Sequence, residues 1–468
     1  MSERYDSSQA TRDLFGRLIE EKQADLDFYR GLSDSGLVKA PFYHQAKRIR
    51  AAMNHGRVLL ADDTGTGKTY AAAITKFLLD HEEGRKHRTL VTCPKSAMVA
   101  PWNEEEIGGY SNGSVPRIHY INGPKDLRHL DGDNDFVVVN YEKWAQARYA
   151  DALTTEQWDL MVFDECHKMK NPKSKRAGWN ERRGLTRLLE NYGNRLILMS
   201  ATPIANRLND MGMILYALDP QSCPDPTAYD YERQPFLIWQ VLNRHKFFRI
   251  TKEDLKDQLG LPPVPEEQVI PVSLSEPEID AYVSAWEQSI VLGRKLADLR
   301  KAMLDYRLIG GTEEPSKYRI LDSMLEEKMR RGEQAVIFTG LKEGVTDELE
   351  QRYSIYNAVM VDGDTNKRQR ERAISAFRNE QARVFIGTTG TMAEAISLAT
   401  GDTPCSVIRL EPPFALSDWV QTVGRVYRKG QRAPVEAYTF VAECDDRLWG
   451  KMENAFERIL REYEMMVR

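Results

Sequence analysis

The stretch Val58-Leu59-Leu60-Ala61-Asp62-Asp63-Thr64-Gly65-Thr66-Gly67-Lys68-Thr69 constrains what this chain can fold into more than any other. An apolar run, a tight glycine-bearing turn and Lys-Thr leading into an alanine-rich segment at 70–79 read as strand, loop and helix. In that setting Gly-Lys-Thr makes a phosphate site. Glycines let backbone N–H groups crowd round the phosphates, and the new helix turns its positive end toward them. Lys68 would reach the terminal phosphates and Thr69 would hold a magnesium ion. The strict pattern asks for glycine at position 62, where Asp62 stands. An ordinary glycine-rich turn would leave the same stretch, so the residues downstream must decide.

Short apolar runs recur at Thr89–Cys93, Phe136–Asn140, Leu160–Asp164 and 195–200, with turn signals and helical patterns between them. Such alternation predicts an α/β fold, a mostly parallel sheet flanked by helices. Ligands of such sheets bind beyond the C-terminal strand ends. Each run ends in polar residues: Pro94-Lys95-Ser96, Asn140-Tyr141, Asp164-Glu165-Cys166-His167 and Ser200-Ala201-Thr202-Pro203. All should share one rim with the phosphate loop. Asp164 has the character of the acid that holds the magnesium of Thr69. Glu165 is placed to orient and deprotonate a water attacking the γ-phosphate. Upstream, Gln45 could bond both edges of an adenine ring or be an ordinary helix residue.

Residues 1–40 are polar with an amphipathic pattern over 14–28, which predicts a surface helix. From about 205 to 330 helical patterns dominate, interrupted by the extended connector Leu261-Pro262-Pro263-Val264-Pro265. Alternation resumes at 334–340, 358–363, 383–389, 406–412 and 435–441, predicting a second α/β domain without a phosphate loop. There Arg425 and Arg428, three apart, are expected on one helix face. Their guanidinium forks suit the charge that builds on a transferring phosphoryl group, or form a basic surface helix.

The net charge of −5 argues against wholesale attraction to nucleic acid. Any such contact must use local basic patches, of which 47–50, 168–183, 366–372 and 425–432 are the candidates. Five scattered cysteines without a Cys-x-x-Cys pair predict neither a disulfide framework nor a zinc site, and a reducing cytosol. No apolar span is long enough to cross a bilayer, and the N-terminus lacks a secretory core.

Assembled, these residues resemble the Swi/Snf-type DNA translocases of helicase superfamily two, from about Val38 onward. Asp62 to Thr69 is similar to the family's Asp-Glu-Met-Gly-Leu-Gly-Lys-Thr loop, which also lacks the first glycine. Leu90 to Glu104, with Pro94, Trp102 and Glu104, resembles the next motif. Asp164-Glu165-Cys166-His167 followed by Asn171-Pro172-Lys173-Ser174-Lys175 resembles the acidic motif. Ser200 to Asn206 resembles the third motif, and Gln421 to Gln431 is closely similar to the family's last. The fifth motif departs: Met392, Ala393 and Ala395 stand where the family has glycines, which implies a differently shaped loop.

The resemblance implies two RecA-like domains with ATP between them and DNA across both rims. It assigns Gln45 to adenine and Thr64, Gly65, Thr66, Gly67 and Lys68 to the phosphates. Magnesium falls to Thr69 and Asp164, water activation to Glu165, and Arg425 and Arg428 become arginine fingers. Ser200, Thr202 and Gln421 fall at coupling positions, and Lys95, Ser96, Asn140, Tyr141, Thr339 and Thr388 at positions that touch the DNA backbone. The expected division is an N-terminal helical extension at 1–40, a first lobe at 41–215, a helical linker at 216–324 and a second lobe at 325–468. The expected activity is a DNA-dependent ATPase that translocates on duplex or forked DNA. The alternatives are a strand-separating helicase on DNA or RNA, and an ATP-gated clamp with little turnover. A compact bacterial or phage-type member is expected: cytoplasmic, monomeric, with room for a protein partner and no membrane contact.

Overall fold

The computed structural model describes residues 7–34, 39–98, 101–110, 115–130, 133–192, 194–204, 207–244, 246–288, 292–342, 344–389, 397–412 and 416–442. Its chain divides into two compact units. Residues 1–62, 66–203 and 209–249 form one, and 63–65, 204–208 and 250–468 the other.

The first unit is built on seven parallel strands: β1 (Arg57–Leu60), β2 (Thr89–Cys93), β3 (Ile118–Ile121), β4 (Phe136–Asn140), β5 (Leu160–Asp164), β6 (Leu196–Met199) and β7 (Lys246–Phe248). They lie in the order β3-β4-β2-β5-β6-β1-β7. Parallel pairing throughout puts every C-terminal strand end on one edge. β1 reads as an unbroken apolar run because strands of such sheets are covered on both faces. Val58, Leu59 and Leu60 are all buried. Val58 and Leu60 pack with Ile49 of the helix Tyr43–His55 and Ala72 of the helix Lys68–Glu83. Each fully buried side chain of this size contributes about 1.5–3 kcal/mol. The predicted N-terminal helix runs Ser7–Asp34. Its Leu32 joins this core and its Asp25 accepts from Arg50 at 2.6 Å.

The second unit carries six parallel strands: β8 (Glu267–Val272), β9 (Gln334–Thr339), β10 (Val359–Val361), β11 (Val384–Thr388), β12 (Cys405–Arg409) and β13 (Val435–Ala442). Their order is β10-β11-β9-β12-β13-β8. Successive strand residues face opposite sides. Ile337, Ile386 and Ile408 accordingly pack with Tyr318, Leu321 and Leu325 of the helix Ser316–Arg330. Val336, Phe338, Phe385 and Val407 pack with Phe377, Val426 and Tyr427 on the other side. Among the described residues the stretch 216–324 includes the helices Phe236–Arg244, Lys252–Leu259, Glu276–Gln288 and Leu292–Asp305 and the start of the helix Ser316–Arg330. It also supplies β7 to the first sheet and β8 to the second. No helix among them is long and apolar enough to cross a membrane.

Candidate functional site

The phosphate loop leaves β1 and enters the helix Lys68–Glu83 through Gly67, whose φ of 91° is open to glycine and strained for other residues. A Cβ at Gly67 would fall 2.1 Å from the Gln45 amide nitrogen. Gln45 lies against the loop because its Nε2 donates to the Thr66 carbonyl at 2.9 Å, while its Oε1 accepts from Phe42 N at 2.9 Å. Its amide thus bonds the loop and the start of its own helix, each with one of the two hydrogen-bonding positions of its nitrogen and oxygen. His44 Nε2 lies 3.0 Å from the same Thr66 carbonyl. Burial, with the Arg48 charge adding, holds its imidazole below the usual range against the pull of the Thr66 bond. The ring is therefore neutral and donates from Nε2.

Asp62, at the position of the absent glycine, is buried and paired. Arg48 donates from Nε and a terminal nitrogen to its two carboxylate oxygens at 3.0 and 2.9 Å. The guanidinium also stacks 4.8 Å from the Phe248 ring centre. Lys68 Nζ donates to the Asp62 carbonyl at 2.7 Å. The ion pair therefore fixes the backbone on which the loop lysine rests. The missing glycine was the visible signal, since a buried carboxylate requires a cation, but nothing in the sequence identified Arg48 as its partner.

Asp164 and Glu165 end β5. Glu165 adopts φ 52° and ψ 52°, the left-handed region that non-glycine residues rarely enter. Strain of this kind costs about 1–3 kcal/mol and gathers at functional sites. It turns the chain sharply, leaving Asp164 buried and Glu165 partly exposed. The fully buried Trp102 donates its indole N–H to Asp164 Oδ2 at 2.9 Å, and Tyr141 donates its hydroxyl to the Asp164 carbonyl at 2.9 Å. Burial, reinforced by the Glu165 charge, pushes the Asp164 carboxyl up to about 6, against the indole hydrogen bond and Lys68. A desolvated acid of this kind gains most from a cation brought beside it. The same burial drives the thiols of Cys93 and Cys166 well above their usual range, so they stay protonated.

A serine from the end of the neighbouring β6 links this acid pair to the third motif. Ser200 Oγ lies 3.5 Å from Glu165 Oε2 and accepts from Thr202 N at 3.1 Å. His167 Nδ1 lies 3.0 Å from that Oγ and 3.3 Å from Glu165 Oε2. Ser200 and His167 are thus brought to Glu165, and Thr202 N bonds the Ser200 hydroxyl behind them.

Of the six residues expected at DNA, Lys95 is exposed and Ser96 partly so. Asn140 is buried and caps the turn after β4, accepting from Lys143 N at 3.2 Å. Tyr141 and Thr339 have no exposed surface. Thr339 pairs in register with Thr388, which is 8% exposed, at the ends of β9 and β11. Thr339 Oγ1 lies 3.5 Å from Glu411, which also takes a hydrogen bond from Arg300 at 3.2 Å.

In the second unit Gln421 and Arg425 are buried on the helix Leu416–Val426. Arg428 does not share that helix face as expected, because the helix ends at Val426. Gly430, at φ 102°, turns the chain, and Gln431 N donates to the Arg428 carbonyl at 3.0 Å. The buried Gln431 side chain anchors the turn by accepting from Thr400 N at 2.7 Å. Met392, Ala393 and Ala395 of the fifth motif lie outside the described residues.

Comparison with known proteins gives two family matches. The SNF2-related domain covers residues 44–330, and the helicase conserved C-terminal domain covers 316–430. The chain is similar to the ISWI chromatin-remodeling complex ATPase ISW2 of Saccharomyces cerevisiae, 27% identical over 82% of this chain and 37% of that protein. It is also similar to the human SWI/SNF-related matrix-associated actin-dependent regulator of chromatin subfamily A member 1, 26% identical over 82% and 39%. The chain therefore spans less than two-fifths of these relatives. Among solved structures, the Sulfolobus solfataricus SWI2/SNF2 ATPase core in complex with dsDNA matches 90% of this chain and 92% of its own, with 20% identity and a TM-score of 0.39.

Proposed function

The chain belongs to the SNF2-related domain family, and from that premise we propose that it is a DNA-stimulated ATPase that moves along duplex DNA. The observation that carries the proposal is the acid pair at the end of β5. A desolvated Asp164 held by Trp102 stands beside a strained, partly exposed Glu165 tied to Ser200 and His167. A glycine-turned loop bearing Lys68 opens from the same strand-end edge.

Lys68 and the loop N–H groups bind the β- and γ-phosphates of ATP. Thr69 and Asp164 are hard oxygen donors, which suits magnesium, and the raised affinity of Asp164 for positive charge fits that ion. Bound there, magnesium would neutralise phosphate charge. Glu165 orients a water and takes its proton as the water oxygen bonds to the γ-phosphorus and the bridging bond to ADP breaks. Ser200, Thr202 and His167 position Glu165. Arg425 and Arg428 stabilise the charge that develops on the γ-phosphoryl group, and Gln421 serves coupling.

The contact with DNA is largely to phosphates, with Lys95 and Ser96 the accessible candidates in the first unit. Buried free thiols at Cys93, Cys166, Cys223 and Cys405 fit a reducing compartment such as the cytoplasm.

Steady-state ATPase with no nucleic acid, single-stranded, duplex and forked DNA, and RNA tests the reading. Duplex or forked DNA should stimulate turnover, and Glu165→Gln should lower it by about 10²–10⁴-fold. Stimulation confined to single strands or RNA would replace the translocase with a helicase. ATP-dependent DNA binding without stimulated turnover would replace it with a clamp.

A further inference from the structure

The loop that follows the acidic motif is a preorganised cationic surface. Between residues 168 and 187 the chain has eight basic residues and a single acid, Glu181, although its net charge is −5. Three of these cations are neutralised: Lys170 by Asp210, Arg182 by Glu190 and Arg183 by Glu181. Lys168, Lys173, Lys175, Arg176 and Arg187 have no carboxylate within ion-pair distance among the described residues. Lys173, Lys175 and Arg187 are exposed, Lys168 and Arg176 partly so.

A basic run is usually a solvated face whose side chains sample many positions. Here the backbone is stitched. The Asn171 carbonyl accepts from Ser174 N at 3.1 Å and Ser174 Oγ at 2.7 Å, and Lys173 N donates to Asn171 Oδ1 at 3.0 Å. Gly178 N donates to the Ser174 carbonyl at 3.0 Å, and Thr186 closes the far side with two bonds to the Ala177 carbonyl at 3.0 and 2.8 Å. Gly178 and Gly184 take positive φ, and a Cβ on either would lie within 2.7 Å of a backbone carbonyl across the loop. Lys173 and Lys175 thus project from a fixed turn two residues apart.

The position adds to the charge. The loop follows β5, and the exposed Lys95 follows β2, the parallel neighbour of β5. A Cβ on Gly184 would stand 3.5 Å from the Trp144 carbonyl, in the turn that follows β4 on the other side of β2.

We propose that this loop, through Lys173 and Lys175 with Lys168, Arg176 and Arg187 around them, is a second phosphate-backbone contact for duplex DNA. It extends the footprint begun at Lys95. The inference rests on the DNA-motor reading above. Fixed, uncompensated cations at the end of a sheet edge suit a polyanion of regular charge spacing, and the contact carries no base preference.

The test is the salt dependence of binding to a 30-base-pair duplex of arbitrary sequence. Wild type is compared with Lys173→Ala/Lys175→Ala, and with Lys86→Ala/Arg117→Ala, whose cations are both paired with Asp133. Matching thermal transitions establish that the variants are folded. The loop variant should bind about five- to tenfold more weakly at 100 mM salt, and its log–log salt slope should shrink by about two, one per lost phosphate contact. The Lys173→Arg/Lys175→Arg form should bind as wild type does, and the Asp133-paired control should change little.

Equal affinity and slope in wild type and loop variant would overturn the inference and leave the motor reading standing. Wild type that binds no duplex at any salt would overturn the motor reading itself. Loss of binding to a polyglutamate peptide, with duplex affinity unchanged, would reassign the loop to an acidic protein.

Discussion

Removing the Arg48 cation should destabilise the first unit and loosen its phosphate loop together. The Arg48 and Asp62 side chains are 7% and 4% exposed, so both charges are largely stripped of water. Their two hydrogen bonds, at 3.0 and 2.9 Å, are what make that burial tolerable. Arg48→Met keeps much of the apolar stem packed near Phe248 but leaves the Asp62 carboxylate buried with no cation beside it. Breaking a buried pair from one side costs about 3–5 kcal/mol, far more than the net worth of the pair. The double variant Arg48→Met/Asp62→Leu, which removes both charges, should recover most of that loss, so the two substitutions should be strongly non-additive. Denaturant unfolding followed by tryptophan fluorescence suits the measurement, because Trp102, Trp144, Trp158, Trp179 and Trp239 all lie in this unit. Affinity for a fluorescent ATP analogue should fall in Arg48→Met, since the Asp62 backbone carries Lys68. If Arg48→Met unfolds within about 0.5 kcal/mol of wild type and binds nucleotide equally well, the pair does not hold the loop and the reasoning fails.

Two other perturbations probe the acids of each unit. Trp102→Phe removes the indole donor that opposes the rise of Asp164, already pushed up to about 6 by burial and Glu165. A hydrogen bond to a charged group is worth about 1.5–3 kcal/mol, so the acidic limb of the ATPase pH profile should move up by about one unit or more. An unmoved limb would dissociate Asp164 from turnover. In the second unit Glu278 is buried and accepts from Ser275 N and Oγ at 2.7 and 2.8 Å and from Ser316 N and Oγ at 2.8 and 2.6 Å. Burial pushes this carboxyl up, but the Ser316 and Ser275 hydrogen bonds outweigh it and hold it below the usual range. Its stabilisation is therefore full above the unfolded value near 4.5 and is lost as pH falls through the depressed folded value. Glu278→Gln should cost on the order of 2–3 kcal/mol at pH 7 and flatten the loss of stability in acid. Identical acid unfolding curves for variant and wild type would refute this.

Most of the strands that the sequence made visible are buried on both faces, the exception being the half-buried edge strand β10. β1, β2, β4, β5 and β6 read as apolar runs because helices cover them front and back. β3, β7 and β8 went unread, and all three are edge strands. An edge strand is defined by its neighbour and carries a mixed pattern: β8 includes Pro271 and exposes Val269. The same division runs through the site. Gly65, Gly67, Lys68, Asp164 and Glu165 stood out in the sequence because the proposed phosphate and water chemistry calls for those residue types at those spacings. Gln45 was read as an adenine reader from its position alone; that its amide also bonds Thr66 and Phe42 depends on how the helix Tyr43–His55 lies against the loop.

By itself the sequence determined the α/β class, the two sheets, the phosphate loop and the acid pair. Each of these follows from local hydrophobic periodicity, turn chemistry or adjacent residues. Only the tertiary structure decided that Asp62 replaces a glycine by pairing with Arg48, that Trp102 and Tyr141 hold Asp164, and that Ser200 and His167 reach Glu165. It also decided that Arg428 lies beyond its helix. Most of these are contacts between residues fourteen to sixty-two positions apart, brought together by sheet order and burial. No local pattern records which distant polar group will satisfy a buried charge.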